Sequence, residues 1–470
     1  MASFWDLVRE WARPLHIPNI LQSSTNGVRS ALVPVFARRL GLTDSQVGFI
    51  IGSAGIVKVL LDVAFGFAAS LHGTRVIMIA GMLLNVLGSI VAMFAFYSAL
   101  LTASMLWGAG VGCFFVARQF FVARAVPRSI RGRLMSLVGG FTRWCVVLGP
   151  AIAGLMIDFV SVRLAAFSIA PISLTCAYIV ATNEKIRAVD EEISEGREDH
   201  NISKELSLMV VALQKYWDII IRIGVYSFNL VCLRQGRSML LALAAINMGL
   251  SASMVGLVLG SSYVVDATLF FLGGYIVDKF GEIYTTIPTS VNLGVAFLVL
   301  AHANTLATLL LSAVLFGVAD STGCGILMIL TAEHSPPSGG ASFMGLMGTV
   351  QDLGQVVGPM VSGLIMEYFG FASVCYVLGG VGALNALWAY FMIPAKSCTR
   401  VEEEEAASKI IDPVAPAGDA TMVVVEAEER EAVPDAEDEG AIHLLVDEEL
   451  EVSDAEAGNE VKKIEVQEKG

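Results

Sequence analysis

From Asn19 to Met392 the chain alternates between long apolar runs and short polar breaks. Each run is about 20 residues, the length that carries an α-helix across the hydrocarbon core of a bilayer. The runs fall at Asn19–Arg39, Gln46–Ala69, Val76–Phe96, Ala99–Phe120, Arg133–Phe159 and Leu164–Ala181, then at Ile219–Ala245, Met254–Val277, Ile283–His302, Leu306–Leu330, Ser342–Tyr368 and Ala372–Met392. Between the two groups of six lies the longest hydrophilic stretch before the C-terminal tail, Asn183–Arg222. The pattern predicts an all-α membrane protein with twelve transmembrane helices in two six-helix bundles. The expected division is an N-terminal segment 1–17, a first bundle 18–182, a connector 183–216, a second bundle 217–394 and a tail 395–470.

The opening segment MASFWDLVREWARPLHI sets Phe4, Trp5, Val8 and Trp11 among Asp6, Arg9, Glu10 and Arg13. That alternation suits an amphipathic helix lying in the membrane interface, or a helical cap on the bundle. No run has the basic start and small-residue cleavage site of a removable signal peptide, so the first helix is expected to be the insertion signal.

Composition strengthens the membrane reading, with 55% hydrophobic and only 16% charged residues. The formal net charge of −14 needs dividing. From Val401 on there are 23 acidic and 5 basic residues, a net of −18, which leaves +4 for the remainder. The tail is charge-rich and poor in aromatics, so it cannot bury enough surface to fold and is expected to be disordered. Six of the seven cysteines, Cys113, Cys145, Cys176, Cys232, Cys324 and Cys375, sit in apolar runs without metal-ligand spacing and read as packing. Lysine and arginine gather in the loop Arg124–Arg133, in the connector (Lys185, Arg187, Arg197, Lys204, Lys215) and at Arg75 and Lys279. That bias predicts both termini on the cytoplasmic side.

The two groups of runs repeat each other. NGVRSALVPVFARRLGLTDSQVGFIIG at Asn26–Gly52 overlays RQGRSMLLALAAINMGLSASMVGLVLG at Arg234–Gly260, with Arg29 on Arg237 and Gly41-Leu42 on Gly249-Leu250. Further on, Gly66–Gly73 falls on Gly274–Gly281, Gly108 on Gly317, and Gly149-Pro150 on Gly358-Pro359. Landmarks kept in order point to parallel halves related by an axis along the membrane normal.

The stretch Gly274-x3-Asp278-Lys279-x-Gly281-Glu282 resembles the loop signature of the major facilitator superfamily. Gly149-Pro150 and Gly358-Pro359 are similar to its glycine-proline helix motif. The resemblance covers Asn19 to Pro394. It implies a secondary transporter working by alternating access, with Asp278 helping to hold one face closed. In the first half Ser70 and Leu71 replace the acidic and basic residues of the loop signature, so the halves are expected to gate unequally. Ser104 stands where the drug/proton antiporters of the family carry an arginine on the fourth span.

Charged residues inside the runs are the candidate chemistry, because each costs about 2.5–3.5 kcal/mol at mid-membrane unless it faces a cavity or a partner. Those near mid-span are Arg29, Lys58, Asp62, Arg143, Arg234, Arg237, Asp266, Asp320 and Asp352. Asn19, Gln22, Asn26 and Arg29 share one helical face, a polar stripe expected to meet water or substrate. The repeat sets Lys58 at the position of Asp266, and Arg143 at that of Asp352, which suggests switching pairs Lys58/Asp266 and Arg143/Asp352. Alternatively, Lys58 and Asp62 neutralise each other along one helix. Arg29 and Arg237 cannot pair with each other. Either an anion lies between them, bound by the planar guanidinium forks, or internal aspartates balance them. Family members that carry organic phosphates are similar in placing one arginine on span one and one on span seven, a match by span and depth that leaves both readings open. Asp320 and Asp352 are candidates for a proton-coupling carboxyl, since burial favours the neutral form. Arg118 and Arg124 are expected to snorkel to the interface.

The expected function is transport of a small organic anion, with Arg29, Arg237, Asn26, Gln22, Arg234 and Gln355 as substrate contacts and protons as a candidate coupling ion, the coupling ion itself being left open by the sequence. Two alternatives stand beside it: export of drugs or metabolites, and a non-transporting sensor or scaffold acting through the tail. The sequence shows no nucleotide loop, metal cluster or catalytic constellation. No enzymatic activity, cofactor or nucleic-acid partner is expected, and the protein is expected to act as a monomer in the lipid bilayer.

Overall fold

The computed structural model describes residues 4–195, 213–335 and 340–393. The acidic tail, Pro394 and the connector residues 196–212 lie outside the described residues, as do the expectations attached to them. After a short helix α1 (Phe4–Trp11) and a π-helical turn (Ala12–His16), the first bundle is built from α2 (Ile17–Arg39), α3 (Asp44–His72), α4 (Thr74–Ala92), α5 (Tyr97–Ala125), α6 (Arg128–Phe159) and the bent pair α7 (Val162–Phe167) and α8 (Ile169–Ala181). A connector helix α9 (Glu184–Glu195) follows. The second bundle holds α10 (Trp217–Asn247), α11 (Ala252–Leu269) with α12 (Phe271–Phe280), α13 (Ile283–Ala301), α14 (Leu306–Thr322) with α15 (Ile326–Glu333), α16 (Gly340–Phe369) and α17 (Phe371–Met392).

Among the described residues, nine helical stretches are long and apolar enough to cross a membrane by composition alone. The passages outside that set are α2, α10 and α16, the helices bearing Asn26 and Arg29, Arg234 and Arg237, and Asp352 and Gln355. Their polar residues lower the apolar signal because these helices face the centre of the protein.

The duplication is visible in the turns. Gly41 and Gly249 both have φ of +72°, the left-handed region where a side chain is strained, and each closes the first helix of its half. The next helices start on matching caps. Thr43 forms a capping box with Gln46 on α3, and the Ser251 hydroxyl accepts from the Met254 amide on α11.

The halves meet along α3 against α16 and α6 against α11. A side chain at Gly48 would strike the Pro359 carbonyl, and one at Gly256 the Pro150 carbonyl. Gly154 lies on Ala252 and Gly363 on Asp44, again in matched fashion. Without a hydrophobic drive between helices in lipid, such backbone-to-backbone packing carries the attraction. Carboxylates from the opposite bundle then cap these helix starts. Asp158 at the end of α6 accepts from the Ala252 amide (3.1 Å), the Ser253 amide (2.7 Å) and the Ser253 hydroxyl (2.6 Å). Glu367 at the end of α16 accepts from the Ser45 amide at 2.9 Å. We call this the capped end of the molecule, and the opposite end, where α9 sits, the connector end.

At the connector end α1 and α9 are tied to the first bundle. Trp11 is buried with its ring edge-on to Phe121, and Lys185 bonds Glu10 at 2.8 Å while lying 4.6 Å from the Trp11 ring. Asp190 accepts from the Thr74 amide at 2.6 Å and the Thr74 hydroxyl at 2.9 Å, capping α4. In the first half, therefore, a carboxylate from the connector stands at the loop whose own aspartate position holds Ser70. Arg118 does not snorkel: it is only 8% exposed, donates to the Asn19 side-chain oxygen at 2.5 Å and lies 4.5 Å from the Phe115 ring. The bundle interior offers it these partners within reach, which the sequence position did not reveal.

Candidate functional site

Between the halves lies a cavity of about 420 Å³. Its polar wall is set by Asn26 and Arg29 from α2, Lys58 from α3, Arg234 and Arg237 from α10, Asp320 from α14 and Gln355 from α16. Val33, Ile51, Val111, Val146 and Met239 supply apolar surface. Four cationic side chains and one carboxylate thus line the same space.

The two arginines equated by the repeat are treated differently. Arg237, 5% exposed, is ion-paired with Asp320, and its guanidinium carbon lies 5.2 Å from the centre of the Tyr263 ring. Arg234, one turn earlier, bonds the other oxygen of Asp320 at 3.0 Å and donates to the Gly323 carbonyl at 2.9 Å. That carbonyl is available because α14 ends there: the chain turns through Gly325 at φ +74° before α15 begins. A helix break inside a membrane bundle frees backbone groups that must find partners within the protein, and Arg234 is one.

Arg29 has no such arrangement. Its guanidinium donates to the Thr25 carbonyl (3.2 Å), the Thr25 hydroxyl (3.3 Å) and the Asn26 side-chain oxygen, and it lies 5.8 Å from the Trp107 ring. All of these partners are neutral. Among the described residues no carboxylate bonds it, whereas Arg237 has its carboxylate. Internal balance holds for one arginine of the pair and not for the other.

Lys58, Asp62, Asp352, Arg143 and Asp266 form two bridges between the halves. Lys58 bonds Asp352 at 2.5 Å and stands 3.8 Å from Asp62; Asp352 also accepts from Gln355 at 2.5 Å. Arg143 pairs with Asp266 at 3.4 Å and donates to the Cys324 sulfur at 2.8 Å. This corrects the expected pairings Lys58/Asp266 and Arg143/Asp352. Positions equated by the repeat lie on opposite sides of the axis; side chains meet where helices touch, which is α3 with α16 and α6 with α11. The repeat maps one bridge onto the other with the signs reversed. Lys58 also touches Asp62, as the intrahelical alternative requires, so the lysine serves two carboxylates.

Of the expected substrate contacts, Asn26, Arg29, Arg234, Arg237 and Gln355 line the cavity. Gln22 does not: it is fully buried and accepts from Asn85 at 3.1 Å inside the first bundle. Asn19 is likewise buried, donating to Thr142 at 2.6 Å. The stripe on α2 therefore turns from bundle interior to cavity between residues 22 and 26. In the loop signature, Gly281 has φ of +94° and its first-half counterpart Gly73 +89°, which accounts for glycine at both. Asp278 is exposed and has no hydrogen-bond or ion-pair partner among the described residues; Lys279 donates to the Tyr275 hydroxyl at 3.2 Å.

Sequence reasoning missed the rings behind the arginines. Trp107 is buried, with its indole N–H donating to the Asn85 carbonyl (3.2 Å) and the Ser89 hydroxyl (3.3 Å). The Tyr263 hydroxyl meets the Ser238 hydroxyl at 3.2 Å. Nothing in their spacing marks them, since aromatics are common in apolar runs. The capping carboxylates Asp158 and Glu367 were within reach of the repeat, because each follows its Gly-Pro motif at the same distance.

A helical protein of two matched six-helix bundles around a polar cavity is the architecture of a membrane transporter. Comparison with known proteins gives the family. A sequence profile of the Major Facilitator Superfamily matches residues 19–233 and 226–425, and the chain belongs to that superfamily. An uncharacterised MFS-type transporter of Methanocaldococcus jannaschii is 21% identical over 364 residues, covering 74% of this chain and 89% of the relative. The multidrug resistance efflux pump PmrA of Streptococcus pneumoniae is 22% identical over 394 residues, covering 82% and 96%. Among solved structures, the nucleoside transporter NupG aligns with a TM-score of 0.66 at 15% identity over 82% of this chain and 99% of that one. The xylose transporter XylE of E. coli, described as inward open, aligns with a TM-score of 0.64 at 16% identity over 83% and 98%.

Proposed function

We propose that the protein carries a small organic anion across the membrane by alternating access, with Arg29 as its principal charge contact. The observation that carries this reading is the unbalanced Arg29 guanidinium on the wall of the central cavity. A cation without a carboxylate at that depth costs several kcal/mol in a membrane protein unless something anionic or aqueous meets it. The flat ring of Trp107 lies beside it, and the edge of the guanidinium is the part that binds a carboxylate bidentately. Asn26, Arg234 and Gln355 are the neighbouring polar contacts, and Arg237 is the guarded member of the pair.

The bridges Lys58–Asp352 and Arg143–Asp266 join the helices that must separate when the capped end opens, so we assign them as the switching pairs. Asp62 and Asp352 share Lys58 and are placed to take a proton when that bridge opens; Asp278 is the gate of the connector end. The close helix packing at the capped end supports a state closed there, and the lysine and arginine bias of the loops supports our reading that the connector end and both termini face the cytoplasm.

The test is uptake of labelled organic anions into proteoliposomes by the wild type and by Arg29→Gln. Anion uptake that survives Arg29→Gln unchanged would refute the anion site. A second reading, efflux of apolar drugs or metabolites, is favoured by the names of several relatives and by the Trp107 and Tyr263 rings around the cavity. It predicts inhibition by apolar cations and indifference to Arg29→Gln.

A further inference from the structure

We propose that Asp320 sets the valence of the cargo: it acts as a built-in second carboxylate that occupies Arg237 and Arg234, leaving one guanidinium, Arg29, for a substrate with a single anionic group and an apolar body. The inference rests on the anion reading above and narrows it.

The argument follows the partners of each cation around the cavity. Lys58 is held by Asp352 and Asp62. Arg143, beyond the wall, is held by Asp266. Arg237 and Arg234 each take one oxygen of Asp320, so that carboxylate is engaged on both sides. Two arginines on one aspartate leave a positive charge over, but Arg234 also donates to the Gly323 carbonyl at the C-terminal end of α14. A helix C-terminus carries a partial negative charge, so Arg234 is further neutralised there. Arg29 alone of the cavity-lining cations has only neutral partners among the described residues.

A substrate with one carboxylate can settle on Arg29 and disturb nothing else. A dianion of the same size brings a second charge into a space whose other cations are already bonded. That charge must stay desolvated without a partner, which is costly, or displace Asp320, which is tethered at Arg237 and pays no association entropy to stay there. The apolar wall of Val33, Ile51, Val111, Val146 and Met239 suits a hydrocarbon body rather than a second polar end. The same logic makes Asp320 a specificity residue. Its neutralisation frees Arg237 and leaves Arg234 on the Gly323 carbonyl alone, so the cavity then presents a cation beyond Arg29 to the second end of a dianion.

The experiment measures dissociation constants of purified full-length protein from ligand-dependent thermal stabilisation, using matched probes: butyrate with succinate, hexanoate with adipate, and benzyl alcohol, benzoate and phenyl phosphate as a neutral, singly and doubly charged set. The wild type is expected to prefer each monocarboxylate over its dianionic partner by about 10-fold or more, the cost of one unpaired charged hydrogen-bonding group. Asp320→Asn is expected to gain affinity for the dianions by about 10-fold and to reverse or erase the preference, while Arg29→Gln loses both classes. Should Asp320→Asn fold poorly, the triple variant Arg234→Gln/Arg237→Gln/Asp320→Asn removes the carboxylate together with both arginines it holds and is expected to keep the preference for monoanions. Equal wild-type affinity for a monocarboxylate and its dicarboxylate, with both dependent on Arg29, overturns the role of Asp320 and leaves the anion site standing. No stabilisation by any anion, or stabilisation independent of Arg29, overturns the anion site itself and this inference with it.

Discussion

Arg29 and Arg237 occupy the same place in the two halves of one duplicated fold, and they have opposite fates. The second-half arginine is locked to Asp320, backed by Tyr263 and shares its carboxylate with Arg234. The first-half arginine rests on Thr25 and Asn26 beside Trp107. Duplication preserved what packing needs: the left-handed glycines, the Gly-Pro helices and the carboxylate caps at the capped end. It did not preserve charge pairing. The two bridges between halves even run with reversed sign, Lys58 on one side answering Asp266 on the other. Packing is a property of shape that both halves share, whereas a single cavity needs one charged face and one neutral one to hold a ligand in a defined orientation.

The largest expected effect separates the two arginines directly. Arg29→Gln is expected to lower anion transport by about 100-fold, as loss of one partner of a desolvated charge pair does; Arg237→Gln is expected to lower it much less, because Asp320 retains Arg234. Initial rates of labelled-anion uptake measure both. Equal losses would restore the symmetric two-arginine site.

Next come the bridges. Lys58→Met leaves Asp352 and Asp62 together without a cation, and such a broken pair costs about 3 kcal/mol. The expected outcome is a fall in thermal stability with loss of transport, partly recovered in Lys58→Asp/Asp352→Lys. Arg143→Met is expected to cost less, because it strands the one carboxylate Asp266 where Lys58→Met strands two. Unfolding in detergent, read for both variants side by side, checks the order; the reverse order would mean that Asp62 does not count in the first bridge.

These outcomes also mark what could be read from the chain beforehand. The helices, the repeat and the membrane class followed from the apolar spacing because a bilayer fixes helix length and every landmark glycine recurs in both halves. Which charges lie in the interior followed from the same spacing, apart from Arg118. Which charge holds which did not. The repeat relates positions to an axis, and equated positions such as Lys58 and Asp266 lie across that axis from each other, while contact is decided by neighbouring helices such as α3 and α16. Gln22 shows the second limit. Three-to-four-residue spacing placed it on the face of Arg29, yet the roughly two helical turns between them are enough to aim it at Asn85 in the bundle interior instead of the cavity. Trp107 shows the third, since nothing in an apolar run tells a ring that flanks a guanidinium from one that faces lipid.

The smallest expected effect tests the caps, the part of the comparison where the halves agree in kind but differ in degree. Asp158 accepts three bonds from Ala252 and Ser253 and lies 3.7 Å from Arg39, whereas Glu367 accepts from Ser45 at the open surface. Both link one bundle to a helix start in the other, so both hold only when the capped end is shut. Removing either favours the state open at that end without touching the cavity. For Asp158→Ala the loss of a helix cap, about 1 kcal/mol, corresponds to a shift of about five-fold in the ratio of the two states; for Glu367→Ala the shift has the same direction and is smaller. Distances between spin labels placed at Leu42 and Leu250 report the opening. A larger shift from Glu367→Ala than from Asp158→Ala would show that the α3–α16 seam, with its lysine bridge, is the one that governs the rocking, and that the asymmetry seen at the cavity extends to the gate.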